Sequence, residues 1–370
     1  MKPLFIKNFT SEELEAWVLT LAEKPFRARQ LFRHLYARNI SSWSQCTDLS
    51  RAFRAQLEFG SALDAVFVSR IDEAPDGTRK YLFRLHDGNF IESVLIPDPP
   101  RCTLCVSSQV GCALGCKFCL TGSIGFKRNL DTAEIVDQVC QTLRDPVLGP
   151  RINSLVFMGM GEPLANYDQV VRAISIMTDP NGLMFSHRRV TLSTVGLVPQ
   201  MRRLGMETPV NLAVSIHAAN DKLRDELMPV NRTYPLAELM RACREYPLAP
   251  RKRITFEYIL LDGVNDSPAQ ARELVRILEG VRAKVNLIAF NPHPGSPYRT
   301  PREERILGFQ DVLRKANLTV IIRKSRGNEI GAACGQLAAA SGNDSRMRKS
   351  SDGTSPATRT RTCGNIDVGT

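Results

Sequence analysis

The sequence holds no run of eighteen or more apolar residues, so no membrane-spanning helix is expected. Its opening stretch, MKPLFIKNFTSEELEAW, has no long apolar segment and soon turns acidic. That excludes a secretory signal and makes a cytoplasmic location the expectation. Large apolar residues are nearly missing again after Ser341, where Ser, Thr, Gly and Arg dominate. Such a composition cannot build a core, and residues 341–370 are expected to form a disordered tail. No internal repeat is visible beyond an alternation of strand-like and helix-like segments.

An even spread of cysteines is also missing. Of ten cysteines, Cys102, Cys105, Cys112, Cys116 and Cys119 crowd into one short stretch, while Cys46, Cys140, Cys243, Cys334 and Cys363 are scattered. A secreted disulfide scaffold would be shorter and its cysteines more regular. A local cluster in a 370-residue chain points instead to metal or redox chemistry. Charge of one sign is absent from the first 98 residues, which carry 13 basic and 13 acidic side chains. Residues 99–340 carry 31 basic and 22 acidic, and the last thirty carry 5 and 3, so the net charge of +11 is mostly central. A basic surface around a reactive centre suits a polyanion, with RNA the leading candidate.

Three structured regions follow. Residues 1–62 read as a helical accessory domain. Thr10 to Leu14 offer a cap followed by acidic first-turn residues, and residues 26–36 place Phe26, Leu31, Phe32, Leu35 and Tyr36 at helical spacing among Arg27, Arg29, Arg33 and Arg38. This is either an RNA-contacting module or an amphipathic helix with a solvated basic face. Residues 63–98 alternate as strands around Asp76-Gly77 and Asp87-Gly88, the pattern of a small meander. Residues 99–340 give strand patterns at 103–107, 154–158, 190–193, 212–216, 254–259 and 285–289, with helical patterns between them at 132–143, 167–177 and 269–278. Six such units predict an α/β fold with a parallel sheet, open or closed into a partial (β/α)6 barrel. In such folds the site lies at the C-terminal ends of the strands.

The motifs fall at those ends. Cys112-Ala-Leu-Gly-Cys116-Lys-Phe-Cys119 is a C-x3-C-x2-C loop, and thiolates suit iron–sulfur clusters. Three protein ligands on a cubane leave one iron open, able to chelate the amino and carboxylate groups of S-adenosylmethionine (SAM) and to pass it an electron. The rival is a zinc site with Cys105 as fourth ligand, at a spacing unusual for zinc. Next comes Gly159-Met160-Gly161-Glu162-Pro163-Leu164, whose glycines expose backbone and whose Glu162 can accept hydrogen bonds from an ammonium. Ser193-Thr194-Val195-Gly196 and Ser215-Ile216-His217-Ala218 place small polar groups where ribose hydroxyls can bind, although a lone histidine is more often structural. Asn291 follows the last strand and can contact adenine or ribose. Cys334 stands between small residues in Ala333-Cys334-Gly335, the context of an approachable thiol or of a small buried hydrophobe.

Together, and in this order, these segments resemble the radical SAM RNA adenine methyltransferases of the RlmN type. The resemblance spans Leu104 to Gln336 and includes Leu104-Cys105-Val106-Ser107-Ser108-Gln109-Val110-Gly111 and Leu227-Met228-Pro229-Val230-Asn231. It implies methylation of adenine at C2 in 23S ribosomal RNA, in the peptidyl-transferase region, and in tRNA, 3′ of the anticodon. It implies that Cys112, Cys116 and Cys119 ligate a 4Fe-4S cluster, and that Gly161, Glu162, Ser193, Ser215, Ile216, His217 and Asn291 line the SAM site. Two SAM are used per turnover. Cys334 carries the methyl group, Cys105 releases the product through a transient disulfide, and Glu92 is the base. The partners implied are 23S rRNA, tRNA and an electron donor such as flavodoxin, with a monomer and no membrane. The same motifs also suit a related adenine-C8 methyltransferase, and a basic metal protein could bind RNA without catalysis.

Overall fold

The computed structural model describes residues 3–147 and 152–339; the expected tail, 341–370, lies outside them. The chain opens with three helices, α1 (Ser11–Thr20), α2 (Phe26–Phe32) and α3 (Arg51–Gly60). Thr10 and Glu13 close α1 reciprocally: the Thr10 hydroxyl accepts the Glu13 N–H at 3.3 Å, and the Glu13 carboxylate accepts the Thr10 N–H at 3.0 Å. The helical pattern at 26–36 is α2 followed by a wider π-helical turn at Arg33–Ala37. Leu31, Phe32, Leu35 and Tyr36 are buried, and Arg29, Arg33 and Arg38 are exposed. Phe26 departs from the expected apolar face. It lies exposed on the first turn, with the Arg27 guanidinium 4.9 Å from its ring centroid.

One ten-stranded sheet carries the rest. Strands β1 (Val66–Glu73), β2 (Arg79–Leu85) and β3 (Phe90–Asp98) form the antiparallel meander, and β4 (Arg101–Cys105) pairs antiparallel with β3. A separate hairpin joins β5 (Gln109–Gly111) to β6 (Phe126–Asn129). From β4 onward the large sheet is parallel through β7 (Ser154–Phe157), β8 (Val190–Thr194), β9 (Asn211–Ser215), β10 (Ile254–Leu260), β11 (Ala283–Ala289) and β12 (Thr319–Arg323). The helices between them are α4 (Leu120–Ser123), α5 (Thr132–Leu143), α6 (Tyr167–Thr178), α7 (Val198–Glu207), α8 (Asp221–Leu227), α9 (Leu236–Glu245), α10 (Pro268–Ile277) and α11 (Glu303–Lys315).

Two features differ from the sequence expectation. The meander is no free-standing linker, because β3 lies directly against β4, with Val94 opposite Cys105. A seventh parallel strand, β12, closes the row. Its five residues alternate buried Val320 with exposed Thr319 and Ile321, the period of an edge strand. No helix among the described residues is long and apolar enough to cross a membrane.

The N-terminal helices are locked to the sheet by buried charge. The Lys7 ammonium, fully buried, bonds the Asp137 carboxylate on α5 and lies 3.1 Å from Asp64. The other Asp137 oxygen accepts the N–H groups of Ala65 and Val66 at 2.7 and 3.1 Å. Asn8 accepts the Ala133 N–H at 2.8 Å, Asn39 donates to the Cys140 carbonyl at 2.8 Å, and Arg144 reaches Asp64 at 2.8 Å. Removing the cation leaves buried carboxylates uncompensated. Lys7→Met is therefore expected to destabilise the protein by roughly 3–5 kcal/mol in urea unfolding. A loss below about 1 kcal/mol, the range of exposed pairs, would contradict this lock.

Candidate active site

The cysteine loop leaves β5 through Gly111, whose φ is +76° and whose added Cβ would meet the Gly125 carbonyl oxygen at 1.8 Å. Only glycine allows that approach. The loop is tied on both flanks by main-chain bonds: Cys112 N–H to Gly125 at 3.0 Å, Lys117 N–H to Leu227 at 3.0 Å and Cys119 N–H to Cys116 at 3.1 Å. All three cysteines are partly buried and free. Burial first, with the neighbouring Cys119 adding to it, pushes the Cys112 thiol up to about 11, and burial with both neighbouring thiols raises Cys116. The loop thus gathers three thiols near one another, the donor set of a thiolate-bound metal centre. Cys105 is no member of this group, because its thiol interacts with Cys334 and Arg323. Among the described residues no three His, Cys, Asp or Glu side chains are grouped to hold a single metal ion. Three thiols on one loop that do not converge on a single-ion point suit an iron–sulfur cluster better than zinc, whose ligands must all meet one centre.

A cleft opens beside the loop, at the C-terminal ends of the parallel strands. It collects Cys119, Gly161, Glu162, Ser193, Ser215, His217 and Cys334 from five separate stretches of chain. At Gly161 (φ +97°) a Cβ would lie 2.5 Å from the Gln109 Cβ, so the turn stands directly against the strand leading to the cysteines. The Gln109 amide oxygen then accepts the Glu162 N–H at 2.9 Å. Both Glu162 carboxylate oxygens accept backbone N–H groups, from Leu164 at 3.0 Å and Val195 at 2.9 Å, leaving further lone pairs toward the cleft. Burial nevertheless pushes Glu162 up to about 7.

His217 is held neutral. Burial and then the Arg224 charge lower it to about 3. Its Nδ1 accepts the Ile259 N–H at 3.0 Å, which places the ring proton on Nε2, and the ring stands edge-on to Phe118 with centroids 4.6 Å apart. It can donate one hydrogen bond, and it is not an acid–base group at neutral pH. Ile216 and Asn291 do not line the cleft. Ile216 is fully buried, its N–H on the Glu257 carbonyl at 3.1 Å. Asn291 donates to the Cys334 carbonyl at 3.4 Å and accepts from Ser325 at 2.5 Å.

The segment around Cys334 is strapped over the cysteine loop. Leu120 N–H donates to the Gly335 carbonyl at 2.8 Å, and the Thr121 hydroxyl to the Leu337 carbonyl at 2.6 Å. Cys334 is exposed rather than buried, against its bland reading as a small hydrophobe. Cys105 is buried, and burial pushes it up to about 12. Glu92 lies outside the cleft lining, at the far end of the strap. One oxygen pairs with Lys80 at 3.3 Å and the other accepts the Ala338 N–H at 2.9 Å.

Sequence reasoning missed Arg224 of α8. It is fully buried, and its guanidinium donates to carbonyls of Val195 at 2.7 Å, Ile216 at 3.2 Å and Ser215 at 3.4 Å, and to the Asn231 amide oxygen at 2.8 Å. It thereby pins the ends of β8 and β9, while Leu227 of the same helix holds Lys117 of the cysteine loop. The run Asn-Asp-Lys-Leu-Arg-Asp-Glu-Leu reads as an exposed charged helix, so only the adjoining Leu-Met-Pro-Val-Asn segment signalled anything there. Glu257 and Arg323, which also line the cleft, were missed too. An acid inside the apolar strand Ile-Thr-Phe-Glu-Tyr-Ile-Leu was a usable signal for the first.

A carboxyl raised from about 4.3 in the unfolded chain to about 7 in the folded one favours the protonated native state. Its contribution is present below the unfolded value and is lost as pH rises through 7. Glutamine stays neutral throughout. The stability of Glu162→Gln relative to the wild type is therefore expected to rise by on the order of 3 kcal/mol between pH 5 and 8 in urea unfolding of the metal-free protein. A difference independent of pH would contradict the burial argument.

Residues 106–275 match the radical SAM superfamily, and residues 6–61 match the ribosomal RNA large subunit methyltransferase N-terminal domain. The chain is 68% identical over 339 residues, 92% of its own length and 99% of the relative's, to a dual-specificity RNA methyltransferase RlmN of Syntrophobacter fumaroxidans. It is 51% identical over 338 residues, 91% and 97% of the two lengths, to its counterpart from Geotalea uraniireducens. A crystal structure of a radical SAM methyltransferase from Sphaerobacter thermophilus superposes with a TM-score of 0.88 at 44% identity, covering 91% of this chain and all of that one. The superfamily uses a 4Fe-4S cluster and SAM, and the three-thiol loop with the cleft beside it supplies the donor set and the space for them. The chain belongs to the radical SAM superfamily and, within it, to the RlmN family of dual-specificity RNA methyltransferases.

Proposed function

We propose that this RNA methyltransferase methylates C2 of adenine in 23S rRNA, in the peptidyl-transferase region, and in tRNA, 3′ of the anticodon. It acts as a cytoplasmic monomer supplied with electrons by a donor such as flavodoxin. The observation that carries the reading is the strap that sets Cys334 in the same cleft as Cys119, with the Cys105 thiol close enough to interact with it. C2 of adenine is electrophilic and has no acidic proton, so a polar methyl transfer from SAM does not work there. When bound, the cluster supplies an electron and SAM supplies the methyl group and a 5′-deoxyadenosyl radical.

The chain's own residues take the following parts. Cys112, Cys116 and Cys119 hold the cluster. Gly161, Glu162, Ser193, Ser215 and His217 line the SAM cleft. Ile216 and Asn291 support it from behind, through the Glu257 carbonyl and the Cys334 carbonyl respectively. Cys334 carries the methyl carbon, which becomes bonded to C2. Glu92, which pairs with Lys80, takes the C2 proton and must give up the Ala338 N–H to do so. Cys105, as the thiolate, then attacks the Cys334 sulfur; the sulfur–methylene bond breaks, the released carbon takes a proton to become the methyl group, and a disulfide is left between the two cysteines. The target base must be exposed or flipped, and the basic excess of residues 99–340 supplies phosphate contacts.

Mass spectrometry of nucleosides from cells with and without the gene tests the regiochemistry. The expected product is 2-methyladenosine, restored by the wild type and not by Cys334→Ala. Finding 8-methyladenosine instead would place the chain with the C8 enzymes. Cys105→Ala is expected to accumulate a covalent protein–RNA adduct, visible on denaturing gels and removed by ribonuclease. Normal turnover by that variant would remove Cys105 from the scheme.

A further inference from the structure

Glu257 has no part in the chemistry set out above, yet it lines the same cleft. It sits on β10 opposite Ser215 on β9 and Asn286 on β11. Only 4% of it is exposed. One carboxylate oxygen accepts the Asn286 amide at 2.9 Å, and Oε2 is buried with no partner. A buried acceptor left unpaired is costly, and such groups in clefts are commonly completed by a ligand. Arg323, at the C-terminal end of β12, lines the cleft beside Glu257 and Cys334 and interacts electrostatically with both.

The ligand group that completes this pair needs a donor for Oε2 next to an acceptor for the guanidinium. The amino edge of adenine is such a group, an exocyclic amine flanked by ring nitrogens. SAM and the target nucleotide both contain it. Glu257 and Arg323 flank Cys334, which carries the carbon to be delivered, so the edge that meets them belongs to the base that reacts. We propose that Glu257 and Arg323 are the specificity-determining pair for the target base: the free Oε2 accepts from the adenine amine, and Arg323 donates to a ring nitrogen beside it. Guanine would turn a carbonyl oxygen toward the carboxylate and be repelled. The proposal rests on adenine being the substrate.

The test is a cycle of enzyme and substrate changes read by single-turnover methylation. Reconstituted wild-type enzyme and Glu257→Gln are each given RNA carrying adenosine or purine riboside, which lacks the amine, at the target position. The wild type is expected to slow at least tenfold on purine riboside. In Glu257→Gln the amide oxygen remains with Asn286 and an NH2 group faces the cleft, so its rate on adenosine falls at least tenfold and its preference for adenosine over purine riboside disappears. SAM affinity, measured by equilibrium dialysis on the same preparations, is expected to stay within twofold. A wild type indifferent to the amine overturns the proposal without any variant. A variant that loses SAM affinity while keeping base preference overturns it by assigning Glu257 to the cofactor's adenine. Failure of the wild type to methylate the adenosine RNA would instead defeat the proposed substrate itself.

Discussion

The chemistry of this fold depends on a main-chain bridge, the 2.8 Å hydrogen bond from Leu120 N–H to the Gly335 carbonyl. Leu120 follows the last cysteine of the loop and Gly335 follows Cys334. A second bond, from Thr121 to Leu337, joins positions 216 residues apart. Bringing such distant positions together has an entropic cost that no single hydrogen bond offsets. The parallel sheet meets it, because every loop that contributes to the cleft leaves the same edge. The bridge adds only the final register, and with it Cys334 lies against the loop that carries Cys112, Cys116 and Cys119.

The surroundings of that bridge are more rigid than a row of loops suggests. Arg224 ties the ends of β8 and β9 together from a fully buried position, and the helix that carries it also holds the cysteine loop. The N-terminal helices are fixed in turn by Lys7 and Asp137, so the exposed Arg29, Arg33 and Arg38 keep a set direction relative to the cleft. For an enzyme acting on one nucleotide of a large RNA, such fixed geometry orients the substrate before chemistry begins. The strap is held at its far end by Glu92, whose carboxylate accepts the Ala338 N–H, so Glu92 and the placement of Cys334 are mechanically joined.

The fold was legible where periodicity was long. The helix at Thr132–Leu143 has the bounds its apolar spacing predicts, and six parallel strands fall within a few residues of their patterns. β12 escaped although its Val320-Ile321-Ile322 run was a usable strand signal, and Phe26 because a first-turn residue can point outward without breaking its helix. The cleft was legible through glycines and cysteines, whose chemistry is local. Arg224 was not, because its function depends on being buried by segments distant in sequence, and a charged residue in a charged run gives no hint of that. Asn291 shows the reverse: it sits near the expected place, but here its amide holds the Cys334 segment rather than facing the cleft.

Peptide mass spectrometry of Cys334 tests the central claim most directly. Protein reconstituted with its cluster and given SAM carrying a labelled methyl group, with no RNA present, is expected to hold one labelled methyl on the Cys334 peptide. Adding RNA should then move that label to adenine. An unlabelled Cys334 in protein that still methylates RNA would contradict the account, because the strap would be holding a thiol that the reaction does not use.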